Sequence, residues 1–554
     1  MKSKFLVFLF FLSAVTFAQN FYLNIKGKNE YENSIIDSLT YPKKHENVAE
    51  ILETQKTFEN SLYNIGYFNF ELNSQKKIND STFVFHYYLG SRIKKLIIKT
   101  NQISKSDKEI LKINEDAISI LPGEVENWMN SKLKLLESSG YALSKLKLIN
   151  QKVNGTIILC ELSLNLNQKR KLDDIVVLGY DKFPQNIKQN WKRKLRNRTF
   201  NQELVNEVSR DIEEFPFVTA TKSPEILFTK DSTKIYTYLE RTKPNKFDGF
   251  IGFANDEKNT KLTFNGYLDL NLINILNSGE KFNLYWRNDG SKQTSFNLGT
   301  EIPYWFKTPF GAKGNLKIFK QDSTFQNTQL NLEAGYYFSY NRKVFLGYQT
   351  INSVDIQNLN AISLNDYKST FYTLSFDYLK RNVSDFLFPE KTILLAKIGM
   401  GKRTLTAINT NQFFAEVNAS HLVYLNEKNQ VFVKNQSYYL DSQNYVINEL
   451  YRFGGINSIR GFRENTLQAN FFSGIFTEYR YLITPNLYVH SITDYGYFQD
   501  KTTNLQGGLL GLGFGFGMLT QNGLFKLIYA NGSTDDQAIK LSDSIIQISF
   551  KTNF

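Results

Sequence analysis

The feature that most constrains this chain is a series of segments in which apolar and polar residues alternate, split by polar turns, from near Lys246 to Phe554. A period of two places successive side chains on opposite faces of a β-strand. One such segment sets Tyr372, Leu374, Phe376 and Tyr378 against Thr373, Ser375 and Asp377. Segments of about ten residues with one apolar and one polar face are typical of a transmembrane β-barrel.

The uncharged stretch from Thr502 to Phe525 supports strands rather than a membrane helix. Within it glycine alternates with bulky residues, and repeated glycine disfavours a helix; the glycines are Gly511, Gly513, Gly515 and Gly517. No apolar run of about eighteen residues follows the N-terminal region, so helical membrane spans are not predicted. The segments from Phe247 to Phe554 number about sixteen, which leaves room in each for a membrane-spanning strand. The final strand ends on Phe554, an aromatic terminus that resembles the targeting signal of outer-membrane barrels.

The N-terminus predicts export. Two early lysines precede the apolar run Phe5–Val15, and the small residue Ala18 precedes Gln19. This order is that of a secretory signal peptide, which we assign to residues 1–18. Because Gln19 is not a cysteine, a lipoprotein anchor is not predicted.

The inventory of reactive side chains argues against an enzyme. Cys160 is the single cysteine, so neither an intramolecular disulfide nor a cysteine metal cluster can form. The four histidines lie far apart in sequence, and none has the spacing of metal ligands. No catalytic triad order, zinc-protease motif or phosphate loop occurs. We therefore expect no catalytic site, no metal and no cofactor, and the net charge of +13 does not imply nucleic acid in an exported protein.

The front half of the chain repeats with a period of about 75 residues. Three turns, Gly66-Tyr67, Gly140-Tyr141 and Phe215-Pro216-Phe217, each follow an amphipathic helical pattern, with one strand before the helices and two after the turn. This order predicts small α+β modules. The predicted boundaries are 19–92, 93–170 and 171–244 for the modules and 245–554 for the barrel. The predicted fold is thus three α+β repeats followed by an antiparallel barrel of about sixteen strands.

A long loop from Arg452 to Leu467 interrupts the barrel pattern, and loops of this length are uncommon unless they are functional or disordered. It carries the tetrapeptide Ile459-Arg460-Gly461-Phe462, which puts one guanidinium between apolar residues at a glycine turn. Two carboxylates, Glu478 and Asp494, follow on the next two strands. Inside a barrel Arg460 would be costly unless it were paired, so we expect both carboxylates to face inward and bind it.

This ordered set resembles the outer-membrane assembly superfamily, whose members include BamA, TamA and the two-partner-secretion transporters. In that family a loop ending in (V/I)-R-G-(Y/F) folds back into the barrel, and its arginine meets acidic residues on the inner wall. Ile459-Arg460-Gly461-Phe462 matches the tetrapeptide, and Glu478 and Asp494 match the acidic partners. The three modules resemble POTRA domains. The resemblance implies a barrel in the cell outer membrane, with the modules in the periplasm.

The resemblance also implies a seam between the first barrel strand, Phe247–Asn255, and the last, Ser544–Phe554. Gly249 and Gly252 lie in the first strand, where interior glycine weakens pairing. Barrel curvature is the other explanation for these two glycines. A weak seam could open sideways and offer its edge to a client strand.

The predicted function is a TamA/BamA-like assembly and insertion factor, which accepts client strands through its POTRA modules and inserts them at the seam. Three modules resemble TamA more than BamA, which carries more. The alternative is a two-partner-secretion transporter that exports a dedicated partner; those proteins carry fewer modules behind a plug helix, for which this N-terminus leaves no room. A diffusion porin is disfavoured because porins need no periplasmic repeats.

The expected partners are nascent outer-membrane or secreted proteins, the lipid bilayer, lipopolysaccharide and accessory periplasmic or lipoprotein subunits, but no nucleic acid. A basic segment from Trp191 to Arg198 could contact anionic headgroups, at about 1 kcal/mol for each cation near a charged surface. The alternative for this segment is an ordinary solvated helix face.

Overall fold

The computed structural model describes residues 20–255, 262–289, 293–357, 364–405 and 408–554. The predicted signal peptide, residues 1–18, lies outside these ranges. Within them, no helix combines the length and the apolar character needed to cross a membrane. The first two modules, up to Lys171 with Arg198–Glu203, form one compact unit, and Leu172–Asn197 with Leu204–Phe554 forms a second unit.

The first two modules share one architecture, in which helices pack on a four-stranded sheet. In each module the leading strand pairs in parallel with the last strand, and the long third strand forms an exposed edge. The first module contains β1 (Phe21–Gly27), α1 (Glu30–Ser38), β2 (Lys44–His45), α2 (Val48–Asn64), β3 (Glu71–Asn79) and β4 (Thr82–Tyr88), with sheet order β2-β1-β4-β3. The second contains β5 (Lys95–Lys99), α3 (Lys105–Leu111), β6 (Ala117–Ile120), α4 (Val125–Ser138), β7 (Lys145–Asn154) and β8 (Ile157–Asn165), with sheet order β6-β5-β8-β7.

The third module also has one strand before its two helices and two strands after them, but its two helices follow each other directly and its sheet has three strands. It contains β9 (Asp174–Leu178), α5 (Gln185–Leu195), α6 (Gln202–Glu214), β10 (Val218–Phe228) and β11 (Thr233–Arg241), with sheet order β10-β11-β9. The apolar positions that predicted α6, namely Leu204, Val205, Val208 and Ile212, are all buried in the structure. The three α+β repeats predicted from the turn spacing are therefore confirmed, while their exact boundaries stay predictions.

The back half forms a closed antiparallel barrel of sixteen strands, which confirms the predicted count. The first eleven are β12 (Lys246–Asn255), β13 (Leu262–Ile273), β14 (Lys281–Asp289), β15 (Gln293–Ile302), β16 (Phe310–Gln321), β17 (Phe325–Ser339), β18 (Arg342–Asp355), β19 (Tyr367–Arg381), β20 (Glu390–Leu405), β21 (Ile408–Tyr424) and β22 (Asn429–Ser442). A loop with two short strands, β23 (Tyr451–Phe453) and β24 (Leu467–Ala469), follows. The barrel then continues with β25 (Phe471–Thr484), β26 (Leu487–Asp500), β27 (Leu505–Thr520), β28 (Gly523–Thr534) and β29 (Ile545–Asn553). Short 3₁₀ helices occupy Pro122–Glu124, Trp305–Lys307, Ile447–Glu449 and Leu541–Asp543.

The alternation of the sequence separates the two faces of the barrel wall. On β29 the apolar residues Ile546, Ile548 and Phe550 are exposed on the outer face. On β26 the residues Tyr488, His490, Ile492 and Asp494 are buried, whereas their neighbours Val489 and Tyr495 are exposed. The outer face of these strands is thus apolar, as a barrel in lipid requires, and the inner face carries the buried polar groups together with some apolar ones.

The third module is joined to the barrel by an aromatic contact. Tyr340, in the turn between β17 and β18, is fully buried, with its ring 5.4 Å from that of Phe215 and 5.9 Å from that of Phe217. Its hydroxyl donates to the carbonyl of Gly279 at 3.0 Å, in the turn between β13 and β14. The amide side chain of Asn186 on α5 donates to the carbonyl of Pro303 at 2.9 Å. The turn motif Phe215-Pro216-Phe217 therefore packs on the turn between β17 and β18, and α5 contacts the turn between β15 and β16.

We predict that Tyr340→Ala loosens this joint by about 3–5 kcal/mol, because it empties a buried aromatic site. Tyr340→Phe keeps the ring and loses only the bond to Gly279, a change of about 1 kcal/mol. Hydrogen exchange of the α6 amides in lipid vesicles measures the loosening. Tyr372→Ala, which removes an exposed ring from the outer wall, is the control. Unchanged exchange of the α6 amides in Tyr340→Ala would contradict the role of Tyr340 in joining the third module to the barrel.

Candidate functional site

The loop between β22 and β25 folds onto the inner wall of the barrel. Its two short strands, β23 and β24, pair with each other and bring Phe453 against the inward-facing Phe472 of β25, with ring centroids 4.0 Å apart. Positive φ angles of 109° at Gly454 and 92° at Gly455 turn the chain after β23, a backbone region that favours glycine. The core of the loop is one buried cluster of Phe453, Ile459, Ala469, Phe472, Phe476 and Leu509.

Each residue of the tetrapeptide has a distinct contact. Ile459 is fully buried in the cluster just described. Gly461 has a φ of 89°, and a methyl group there would collide with the backbone of Asn531 on β28. The ring of Phe462 lies over Gly532, the next residue of β28, where a side chain would also collide with it. The loop therefore approaches β28 backbone to backbone.

Arg460 binds Asp494 through three hydrogen bonds. The backbone N–H donates to Oδ2 at 3.0 Å, Nε donates to the same oxygen at 2.8 Å, and Nη2 donates to Oδ1 at 2.5 Å. Arg460 is 4% exposed, and Asp494 is fully buried. A planar guanidinium matched to both oxygens of a carboxylate is the strong, directional form of this interaction.

The second carboxylate, Glu478, lies between two arginines. Its Oε1 accepts from Nη1 of Arg460, and its Oε2 accepts from Nε of Arg480 at 2.8 Å and lies 2.6 Å from Nη2 of the same residue. Two guanidinium groups thus face two carboxylates, so the buried cluster is balanced in charge. Balance matters because an uncompensated buried charge costs several kcal/mol. The structure brings Arg460, Glu478 and Asp494 together as the motif predicted, and adds Arg480 to them.

The alternating glycines of β27, from Gly511 to Gly517, make room for the loop, for two aromatic side chains and for the neighbouring strand. A methyl group at Gly511 would collide with the carbonyl oxygen of Arg460. At Gly515 it would meet the ring of His490, and at Gly517 the ring of Tyr488. At Gly513 it would meet the backbone of the neighbouring strand β28. Of these four glycines, Gly511 is the one that makes room for the loop.

Two further ion pairs hold the loop and were missed in the sequence. Glu449 binds the fully buried Arg403 of β20, and Glu464 binds Arg287 of β14. The amide of Gln412 on β21 also donates to Glu449 at 2.8 Å. Glu449 and Glu464 lie on either side of the tetrapeptide in sequence. The alternation along β20 and β14 indicates that Arg403 and Arg287 face inward. Nothing local pairs them, because each partner is at least 46 positions away in the sequence.

The seam between β12 and β29 is short. Among the described residues, two pairs join these strands, Lys246 with Asn553 and Phe247 with Thr552. The N–H of Phe554 adds a bond to the carbonyl of Asn245 at 3.0 Å. Gly249 and Gly252 lie beyond the paired part and pair only with β13, opposite Leu268 and Asn265. The two predicted seam glycines are therefore in the part of β12 that β29 does not cover.

Two cations of the basic segment, both on α5, are paired within the third module. Lys192 binds Asp174 at 2.6 Å, and Lys194 contacts Asp211 at 3.2 Å. Trp191 donates its indole N–H to the same Asp211 at 2.9 Å. Burial raises the pKa of Asp211, although the ammonium group of Lys194 acts in the opposite direction. These contacts hold α5 to α6 and β9, which favours a structural role for Lys192 and Lys194 over headgroup binding.

Comparisons with known proteins agree with this architecture. No protein-family model matches the sequence, and no curated protein matches it. CdiB from Escherichia coli is similar in structure over 92% of this chain and 98% of its own, with 11% identity and a TM-score of 0.53. CdiB from Acinetobacter baumannii is similar over 91% of this chain and 97% of its own, with 14% identity and a TM-score of 0.52. BamA from Haemophilus ducreyi lacking POTRA domains 1-3 aligns with 84% of this chain and 100% of its own, with 15% identity and a TM-score of 0.47. The two CdiB structures show that the chain shares their fold.

We predict that Arg460→Ala destabilises the barrel by about 3–5 kcal/mol, because it leaves Asp494 and half of the Glu478 site as unpaired buried charge. Urea unfolding in lipid vesicles measures the change. Arg463→Ala removes an exposed arginine three positions along the same loop and is expected to change stability by less than about 0.5 kcal/mol. Equal unfolding midpoints for the two variants would contradict the anchor.

A second prediction concerns the close approach at Gly511. Gly511→Ala is expected to cost about 1–3 kcal/mol, since its methyl group meets the Arg460 carbonyl and displaces the loop. Gly314→Ala is the matched control, because the nearest atom to a methyl group at that barrel glycine is 3.6 Å away. Unfolding midpoints of the two variants, compared in the same vesicles, decide the matter. A larger loss in Gly314→Ala would overturn it.

Proposed function

The chain has the fold of the outer-membrane assembly superfamily, and from that premise we propose that it assembles and inserts proteins at its barrel seam. The observation that carries the proposal is the shortness of the seam. Two residue pairs join β12 to β29, whereas β12 forms ten with β13 and β29 forms eight with β28. The barrel is thus least held where its first and last strands meet.

A short seam leaves two strand edges side by side. Within the described backbone, β12 from Asp248 onward and β29 up to Lys551 are not paired with each other. In lipid each unpaired backbone group costs several kcal/mol. A client strand that pairs with such an edge satisfies these groups whatever its side chains are, which suits a protein that handles many sequences.

The lumen behind the seam has space and charge. We call Arg460, Glu478 and Asp494 the loop anchor. A cavity of about 570 Å³ is lined by residues of β12, β13, β14, β28 and β29, together with Arg460 and Glu478 of this anchor. The loop anchor therefore forms one wall of the chamber next to the seam. We propose that Arg460, Glu478 and Asp494 hold this wall in place while the seam opens, and take no part in bond chemistry.

The proposal places the barrel in the outer membrane and the three POTRA-like modules in the periplasm. Its clients are nascent outer-membrane or secreted proteins, which the exposed edge strands β3, β7 and β10 could receive by strand addition. The chain acts without catalysis in this scheme. Lipopolysaccharide and accessory subunits stay predictions from the sequence.

The alternative is a transporter that exports a dedicated partner, and the likeness to the two CdiB structures favours it. The two functions differ in the path of the client. A transporter must pass its partner through the lumen, where this chain holds a loop tied by three sets of ion pairs. An insertase needs only a seam that can open, and the short pairing of β12 with β29 supports a client path through the seam.

We predict that closing the seam with a disulfide abolishes insertion. In a Cys160→Ser background, F247C with T552C joins two residues that face each other across the seam. The control pair L346C with L374C joins two exposed residues that face each other on β18 and β19, within a fully paired part of the wall. Folding of a barrel client into vesicles is expected to stop in the oxidised seam pair, to recover with reductant, and to continue in the control.

Full insertion by the oxidised seam pair would overturn the proposal. Export of a single partner that persists through that crosslink would support the transporter instead. Proteomics of the outer membrane after depletion supplies the cellular counterpart: loss of many barrels indicates a general factor, and loss of a few indicates a specialist. Periplasmic accumulation of one secreted protein in an otherwise intact membrane indicates a transporter.

A further inference from the structure

The turn between β19 and β20, residues 382–389, folds into the barrel from the end at which the third module lies. Leu387 and Phe388 are only 6% and 8% exposed, whereas the adjacent Phe386 is 81% exposed. A turn that merely linked two strands would leave its apolar residues outside the wall or omit them. Two side chains of this turn are instead inside.

Polar contacts fix the turn in this shape. The carboxylate of Asp385 accepts from the N–H of Phe388 at 2.8 Å and from the hydroxyl of Tyr424 at 3.0 Å. The amide side chain of Asn382 donates to the same hydroxyl at 2.8 Å. The backbone N–H of Asn382 donates to the carbonyl of Pro389 at 2.8 Å, which closes the turn at its base. The position of Phe388 is therefore set by the turn and by β21 together.

Inside the barrel, Leu387 and Phe388 complete an apolar cluster at the end of the lumen nearest the third module. The ring of Phe388 lies 4.8 Å from that of Tyr488, edge to face. The wall residues of the cluster come from six consecutive barrel strands, β21, β22 and β25 to β28, and are Leu422, Tyr424, Phe432, Leu482, Tyr488, Leu519 and Leu524. These six strands form one side of the barrel wall, and apolar surface that narrows a pore hinders ions by excluding water.

Arg480 connects this cluster to the loop anchor. Its guanidinium carbon lies 4.1 Å from the ring centre of Phe388 and 4.3 Å from that of Phe432, so the cation is held between two aromatic rings. The same guanidinium donates to Glu478, whose other oxygen accepts from Arg460. One continuous chain of contacts thus runs from the loop tetrapeptide to the turn at the opposite end of the barrel.

We propose that the turn 382–389 is a plug of the lumen, and that Arg480 is a positioning residue that couples this plug to the loop through Glu478 and Arg460. The proposal rests on the proposed function and extends it, because a lumen blocked below the loop leaves the seam as the way out for a client. Displacement of the turn at the periplasmic mouth would withdraw Phe388 from Arg480 and loosen Glu478. The loop would then be released from the other side of the membrane.

Ion conductance of the full-length protein in planar bilayers tests the plug. Phe388→Ala is expected to raise the mean conductance at least about threefold, because it opens the apolar constriction to water. Phe386→Ala removes the same side chain from the exposed position next to it and is expected to leave conductance unchanged. Phe388→Leu retains an apolar side chain and is expected to stay near the unsubstituted protein. Equal conductance for the two alanine variants would overturn the plug.

Thiol labelling at the loop tests the coupling. Ser458, two positions before Arg460, is buried, so S458C in a Cys160→Ser background reports release of the loop to a membrane-impermeant maleimide added outside. Phe388→Ala and Arg480→Met are expected to speed labelling severalfold, and Arg480→Lys, which retains the cation, is expected to restore part of the protection. Phe386→Ala is expected to have no effect.

Gel mobility before and after heating verifies that each variant has a folded barrel, and Phe388→Leu and Arg480→Lys serve if the stronger changes prevent folding. Faster labelling in Phe388→Ala with normal labelling in Phe386→Ala supports the coupling. Labelling that stays slow in both Phe388→Ala and Arg480→Met would overturn it. Neither assay contains a client, so these results stand apart from the seam crosslink: a failed insertion assay would leave them intact, and their failure would leave the seam proposal intact.

Discussion

The buried pair between Arg460 and Asp494 is the interaction on which the rest of the barrel interior depends. A guanidinium that is 4% exposed must have its charge met at short range, and three hydrogen bonds to one carboxylate do so. To reach that position the loop passes close to β27 and β28, which explains glycine at positions 461 and 511. The charge of Glu478 then requires Arg480, and Arg480 lies against Phe388. One buried cation thus accounts for contacts through the depth of the lumen.

A second constraint comes from the membrane around the barrel. Lipid supplies no hydrogen bonds, so a wall of strands must pair its backbone completely or bear the cost at a defined place. Over the residues that the structure describes, neighbouring strands of this barrel share long ladders, whereas the junction of β12 with β29 has two residue pairs. The interior is fixed by ion pairs and the third module is fixed by Tyr340, so the seam is the place where movement costs least. The proposed insertion at the seam depends on that contrast between a held interior and a weak seam.

Most of the fold was predictable because its signals are local. Alternation with a period of two gave sixteen strands, and the spacing of Gly66, Gly140 and Pro216 gave three modules. The tetrapeptide and its two carboxylates were predictable because they resemble a known motif in a fixed order. Arg403 with Glu449, Arg287 with Glu464 and the turn holding Phe388 were not predictable in the same way. Each joins residues far apart in sequence. The alternation along a strand predicts which side chains face inward, but not which of them contact each other.

The sequence by itself determined the class of the elements and the face of each strand that turns to lipid, because local periodicity and side-chain polarity settle both. It also determined that Arg460 needs acidic partners, since a charge in the lumen cannot stand alone. Only the tertiary structure decided how far β12 and β29 pair, where Tyr340 docks and that Arg480 lies between Phe388 and Glu478. The physical reason is that closure of the barrel sets the register of its strands and brings distant side chains together. Neither the register nor these contacts can be predicted from local sequence patterns.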